Sequence, residues 1–203
     1  MIMWIDDEAT LMALYGEPGE ASIVKEVPRL TAEYRAMIVA APFCVLATAG
    51  ADGLDATPRG DAPGFVEVQD DTTLILPDRR GNNRLDSLKN LLRDPRVGLL
   101  FMVPGINETL RVNGRARISA DPDLLARYAV DGKEPRSVLV ITIDSVYFQC
   151  SRALHRSRLW DPAQHRPRGD LPSAGQMLKG AYAPFDAQDY DKGLAERQRA
   201  TLY

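Results

Sequence analysis

At 203 residues, 45% of them hydrophobic and 26% charged, the chain has the size and composition of one globular domain with enough apolar material to bury a real core. A formal net charge of −3 argues against nucleic acid as a partner, because such proteins usually carry a basic balance. No apolar run approaches the ~20 residues of a membrane-spanning helix. The start, MIMWIDDEAT, lacks the basic and apolar regions of a secretion signal, so the expected setting is the cytoplasm. Cys44 and Cys150 lie in apolar runs, FCVLAT and VYFQC, and are expected to be buried, reduced thiols and not a disulfide framework.

In chain order, DDEATLMALYG starts acidic and stops at Gly16, the pattern of a short capped helix. LTAEYRAMIVAA follows, with Thr31 as N-cap, Leu30, Tyr34 and Ile38 on one face, and Pro42 as its end. Short β-rich runs then take over. FCVLAT and LDATPRG are separated by AGADG, where Asp52-Gly53 predicts a hairpin turn. FVEV and TTLILP come next, with Asp70-Asp71 as a turn, and TPRGD is expected to pair with TLILP. An amphipathic helix is predicted over Asn83–Arg93, capped by Asn83 with Asp86 three residues on, and facing the core through Leu85, Leu88 and Leu92. RVGLLFMV is a nearly all-apolar strand. ETLRVNGRARIS alternates, with Gly114 at a bulge or a close backbone approach. Asp121-Pro122 opens a short helix, and SVLVITI and VYFQC read as two last strands. Beyond Cys150 the chain turns basic and loop-like, ending in a short helix and tail. The pattern predicts a mainly β, antiparallel barrel with peripheral helices. It divides into an N-terminal helical segment over 1–41, a barrel domain over 42–160, and a C-terminal loop and helical tail over 161–203.

The stretch LPDRRGNNRLDSLKN crowds Arg79, Arg80, Asn82, Asn83 and Arg84 at the mouth of a helix. Free N–H groups and the positive end of a helix dipole, joined by guanidinium groups, suit a dianionic phosphate. The plainer alternative is that Asp78, Asp86 and Asp94 pair with these arginines on a solvated face. Arg59 in TPRGD repeats the theme of a strand arginine, and so do Thr109, Arg111 and Asn113, which alternate against Leu110 and Val112. Such sequence-distant polar strand ends converge only under a ligand or a partner subunit.

The succession FCVLATAGADG, DATPRGD, TLILPDRRGNNRLDSLKNLLRDPRVGLLFMVPG and ETLRVNGRARIS resembles the pyridoxamine 5'-phosphate oxidase-like flavoprotein superfamily over roughly residues 40–160. Within it, PDRRGNNRLDSLKN, ETLRVNGRARI and RSRLW resemble a bacterial branch of probable FMN-dependent enzymes. The resemblance implies a six-stranded antiparallel split β-barrel, a homodimer, and FMN in clefts between the subunits. It puts Arg59 on the flavin-contacting strand, Pro77 and Asp78 where backbone flanks the ring, and Thr109 on a flavin-contacting glutamine position, with Arg111 two residues on in the same strand. In the oxidases an Arg-Lys pair holds the phosphate; aligned on SLKNLLRDP it falls on Asp86 and Ser87. The charge here sits one turn earlier, on Arg79 and Arg84, with Asn82 and Asn83 between. Ser87 is kept as a candidate donor. After the last strand, Arg156 and Trp160 are the candidates for covering the partner's flavin.

Cys150, His155 and His165 have a spacing open to a metal, but a strand-end cysteine explains Cys150 and a zinc site would want a fourth ligand. No Ser-His-Asp arrangement is present. The expectation is an FMN-dependent oxidoreductase acting on a small molecule. The oxidases' full pyridoxal-phosphate set is missing, which argues against pyridoxamine-phosphate oxidation itself. The alternatives are a non-enzymatic flavin-binding or storage protein, or a relative holding deazaflavin or haem.

Overall fold

The first helices start where their caps dictate. In the computed structural model, which describes residues 2–51 and 53–203, α1 (Glu8–Tyr15) begins where the Asp7 carboxylate accepts from the Thr10 N–H at 2.8 Å, and ends at Gly16 with φ 71°. A short α2 (Glu20–Val24) follows. Thr31 caps α3 (Ala32–Ala40), as its sequence predicts, and α3 buries Ile38. Neither α1 nor α2 buries a residue.

The body is one antiparallel sheet. β1 (Phe43–Gly50) and β2 (Gly53–Gly60) form the predicted hairpin, with Gly50 opposite Gly53; Asp52 of the turn lies outside the described residues. β3 (Glu67–Val68), β4 (Thr73–Pro77), β5 (Arg96–Met102), β6 (Thr109–Ser119) and β7 (Val138–Gln149) complete it. The strand order is β2-β1-β5-β6-β7-β4-β3. The sheet is open, with β2 and β3 as edges, and has the character of a split barrel. It has seven strands where six were expected, because the two-residue β3 counts as one. TPRGD does not pair with TLILP: β2 pairs with β1 alone, and β4 lies between β3 and β7.

SVLVITI and VYFQC are a single strand, β7. Asp144 is the extra residue at a register shift opposite Asn113/Gly114, and this bulge carries the strand through the polar interruption. The close approach expected at Gly114 is there: a Cβ at that position would stand 2.2 Å from the Thr142 carbonyl oxygen. Inward side chains build the core, among them Cys44, Leu46, Leu99, Phe101, Leu110, Val112, Ile141 and Val146. The other face of the β1–β5 ladder carries Val45, Ala47, Gly98, Leu100 and Met102, and none of these is fully buried.

α4 (Asp86–Arg93) packs on β1, α5 (Pro122–Ala126) bridges β6 to β7, and α6 (Arg152–Ser157) follows β7 where a basic loop was expected. α7 (Ala174–Ala181), α8 (Ala187–Asp191) and α9 (Leu194–Ala200) are the α-helices of the tail. Burial pushes the Cys44 thiol up to about 12, against a smaller opposing pull from Arg59. Cys150, by contrast, is exposed: the end of β7 reaches solvent and not the core. No described helix is long and apolar enough to cross a membrane.

Candidate anion-binding cleft

The open edge of the sheet makes the site. β2 comes opposite the C-terminal end of β4, and two ion pairs span the gap. Arg59 on β2 stands 3.8 Å from Asp78, and Arg79 Nε donates to Asp61 at 2.8 Å. Arg79 also donates to the Tyr128 carbonyl at 2.7 Å, and Tyr203 donates its hydroxyl to Asp61 at 2.6 Å. The Arg79 guanidinium lies 5.4 Å from the Tyr203 ring centroid. Side chains with fixed partners therefore hold a seam that backbone hydrogen bonds leave open.

Along this seam runs a cleft of about 990 Å³, lined by Thr57, Pro58 and Arg59 of β2, Asp78 to Leu88, the Lys133–Ser137 loop and Tyr203. Its lining holds six cations, Arg59, Arg79, Arg80, Arg84, Lys133 and Arg136, against Asp78, Asp86 and Glu134. On a chain of net charge −3 this is a local reversal of sign. Arg84 pairs with Asp86 at 2.8 Å, while Arg80, Lys133 and Arg136 make no ion pair among the described residues. The plainer reading of the cluster thus holds for part of it. Arg84 does pair with Asp86, and Arg79 pairs with Asp61, just past the end of β2.

The loop before α4 is strained in a specific way. Asn83 and Leu85 have φ of 59° and 62°, a left-handed conformation costly for residues with a Cβ. Leu85, not Asn83, is the N-cap residue, and no side chain caps the helix. Asn82 instead turns its carbonyl oxygen to the Arg84 N–H at 3.1 Å. The first N–H groups of α4 are therefore left to solvent or a ligand, and they border the cleft. Starting at Asp86 turns the helix so that Ser87, Asn90 and Leu91 are buried, while Leu85 and Leu92 are exposed. The Ser87 hydroxyl lies 3.3 Å from that of Thr57. Asn90 donates to Thr48 at 3.1 Å and to Asp55. Burial pushes the Asp78 carboxyl up, opposed by the charge of Arg59.

Of the residues singled out from the sequence, Arg59, Asp78, Arg79, Asn82, Asn83, Arg84 and Ser87 line this one cleft. Pro77 is buried at the end of β4, opposite Val138. Thr109 and Arg111 lie on β6, Thr109 buried and Arg111 donating to the Tyr147 hydroxyl at 3.0 Å. Arg156 is on exposed α6, and Trp160 donates to the Ile106 carbonyl at 2.8 Å. None of these five lines the cleft of its own chain. The sequence reading missed Thr57, Lys133, Arg136 and Tyr203. The polar, proline-bearing run before β7 was a usable signal for the middle two; nothing marked Tyr203.

Among known proteins, the family model described as Pyridoxamine 5'-phosphate oxidase matches residues 30–150. No curated protein sequence matches the chain. Solved structures similar to it include HupZ from Group A Streptococcus (16% identity, TM-score 0.48, covering 59% of this chain and 93% of that one). Another is a pyridoxinephosphate oxidase family protein related to general stress protein 26, from Clostridium acetobutylicum (14%, TM-score 0.46, 58% and 85%). A third is General Stress Protein 26 from Bacillus anthracis (19%, TM-score 0.42, 57% and 91%). The family match runs from just before α3 through the first residue after β7, more than half of the chain and the whole of the sheet. The chain belongs to the pyridoxamine 5'-phosphate oxidase family, with its split-barrel fold.

Proposed function

We propose that the cleft holds FMN and that the protein is an FMN-dependent oxidoreductase acting on a small molecule as a homodimer. The observation that carries the reading is the uncapped start of α4, opening into a cleft with six cationic side chains. The donor set fits a phosphomonoester: backbone N–H groups at the helix mouth, the Ser87 and Thr57 hydroxyls, and the guanidinium groups of Arg80 and Arg84. Family membership supports the same reading.

A bound flavin supplies the hydride and electron transfer, so no catalytic side-chain acid or base is obligatory. The chain's own groups bind and orient. Arg59 and Asp78 would hold the ligand's ring end beside the seam, and the α4 mouth its anionic end. Burial pushes the Asp78 carboxyl up, so it holds a proton more readily than an exposed aspartate would. The apolar outer face of β1 and β5 is the proposed dimer face. In the dimer, Thr109, Arg111, Arg156 and Trp160, which do not line the cleft of their own chain, belong to the partner's site.

Titration with FMN and with riboflavin tests this. The phosphate should give FMN a clear advantage, and Arg84→Ala should remove most of it. A charge-assisted hydrogen bond is worth ~1.5–3 kcal/mol, or roughly one to two orders of magnitude in FMN affinity. Riboflavin binding should barely move. Equal binding of both ligands by the unaltered protein overturns the phosphate site. Bleaching of the flavin bands by a reduced nicotinamide supports an enzyme, whereas a yellow protein inert to reductants is a binding module.

A further inference from the structure

The segment from Ile2 to Val24 carries much apolar surface and covers none of its own fold. Ten large hydrophobic side chains are exposed along it, among them Trp4 at 73%, Leu14 at 61% and Tyr15 at 80%. A helix as short as α1 is marginal alone in water and draws its stability from packing, yet α1 and α2 bury nothing. So many exposed large apolar side chains in one short segment point to an interface. The chain is pinned to the sheet only after this segment, where Val27 pairs with Val146 and the Lys25 amine lies 5.0 Å from the Phe148 ring centroid.

The charge of the segment selects its partner. Residues 2–24 hold five carboxylates, Asp6, Asp7, Glu8, Glu17 and Glu20, and no lysine or arginine. Such a segment is repelled by an anionic lipid surface, whose amphipathic binders are basic. The complementary surface is on this same chain. Residues 150–168 hold five arginines against Asp161 alone. Arg152 and Arg166 there are exposed and make no ion pair among the described residues. Leu159 within this stretch, Phe148 just before it, and Ile106, whose carbonyl accepts from Trp160, are each about two-fifths exposed.

We infer that the acidic, apolar arm formed by residues 2–24 of one chain docks on the basic, apolar surface around α6 of a second copy. The inference rests on the homodimer reading and extends it, since the arm exchange would run in both directions across a two-fold axis. Apolar contact supplies affinity, and the opposed charges set orientation and exclude other partners.

Trp4 is the reporter, because Trp160 is the only other tryptophan and Trp160→Phe leaves Trp4 alone. Its emission and sedimentation are measured together, from micromolar concentration down to dissociation. The expected result is short-wavelength emission in the dimer that moves to the solvent-exposed position as the dimer dissociates. Arg152→Glu/Arg166→Glu should give the exposed position in a protein that still sediments as a dimer. Short-wavelength emission that persists in the monomer means the arm folds on its own chain, and overturns the proposal. Exposed emission in an intact dimer overturns it while leaving the dimer standing. A monomer at every concentration overturns both. If the double variant leaves the emission unchanged, the receiving surface is not the one assigned. A circular dichroism spectrum matching that of the unaltered protein secures the comparison, and the dilution series is independent of the variant.

Discussion

Asp61 shows how much of the seam hangs on one carboxylate. Its side chain is only 7% exposed, and it accepts from Arg79 Nε, the Tyr203 hydroxyl and the Ala62 N–H at 2.6–2.8 Å. Burial by itself raises the carboxyl's proton affinity and is the largest single influence. The hydrogen bonds from Tyr203 and Ala62, with the bond and charge of Arg79, together outweigh it and hold the group below its ordinary 3.8. The shift is downward on folding, so the stability it confers is fully present above pH 3.8 and is lost as pH falls through the lower native value. Asp61→Asn keeps the shape and removes the charge. It should cost ~1.5–3 kcal/mol near neutral pH, the value of hydrogen bonds to a charged group. In denaturant melts the deficit should shrink steadily toward acid, where the unaltered carboxyl is itself protonated. A deficit of the same size in acid would show that packing, not charge, holds the seam. Asp78, across the gap, has the opposite sign. Its carboxyl is raised by burial, so its charged form is tolerated rather than favoured, which suits a group facing a ligand.

At the scale of elements, α4 shows where the pattern of leucines misleads. Leu85, Leu88 and Leu92 have helical spacing and read as the core face. Two left-handed residues, Asn83 and Leu85, delay the helix to Asp86, and the fully buried face becomes Ser87, Asn90 and Leu91; of the three leucines only Leu88, half-buried, packs against the core as expected. Hydrophobic periodicity could not reveal this, because two of the three buried residues are polar and satisfied, Asn90 by Thr48 and Asp55 and Ser87 by Thr57. Where local chemistry decides, the sequence was readable. Asp7, Thr31 and Asp121 cap their helices with their own side chains, and Gly114 sits at its bulge. Where pairing across the chain decides, it was not. Asp144-Ser145 looks like a strand break until the bulge opposite Asn113/Gly114 absorbs it. The helix phase gives a paired test. Leu91→Ala should cost ~2–5 kcal/mol as a core truncation. Leu92→Ala, at a side chain 78% exposed, should stay within ~0.5 kcal/mol. Urea unfolding of the two variants decides the phase, and the reverse order would restore the leucine face.

The whole molecule is an open sheet with one face filled and the other uncovered. A single stretch, Asp78 to Ser87, yielded most of the cleft residues from the sequence, because one loop supplies one wall. Lys133 to Ser137 and Tyr203 reach the opposite wall only through tertiary folding; the polar, proline-bearing run of the first is a local mark, and Tyr203 has none. The uncovered face was legible in outline from RVGLLFMV. Val97, Leu99 and Phe101 point into the core, and Gly98, Leu100 and Met102 point outward beside Val45 and Ala47. The centre of that face is flat: Ala47 lies between Ala56 of β2 and Gly98 of β5. Small side chains there would let a second copy approach closely, and they would also make such a face easy to poison. In one chain Ala47 is exposed, so Ala47→Glu should fold normally, with an unchanged circular dichroism spectrum. In a dimer joined through this face the same glutamate is buried without a partner, at a cost of roughly 3–5 kcal/mol. That exceeds two orders of magnitude in the dissociation constant. The unaltered chain should therefore sediment as a pair of 22.4 kDa subunits, and Ala47→Glu as a single subunit. FMN affinity should fall as the dimer is lost, although Ala47 lines no part of the cleft, because Thr109, Arg111, Arg156 and Trp160 would no longer reach a partner's flavin. A variant that remains dimeric places the interface elsewhere. One that becomes monomeric yet binds FMN as tightly as before shows that a single chain holds the complete site.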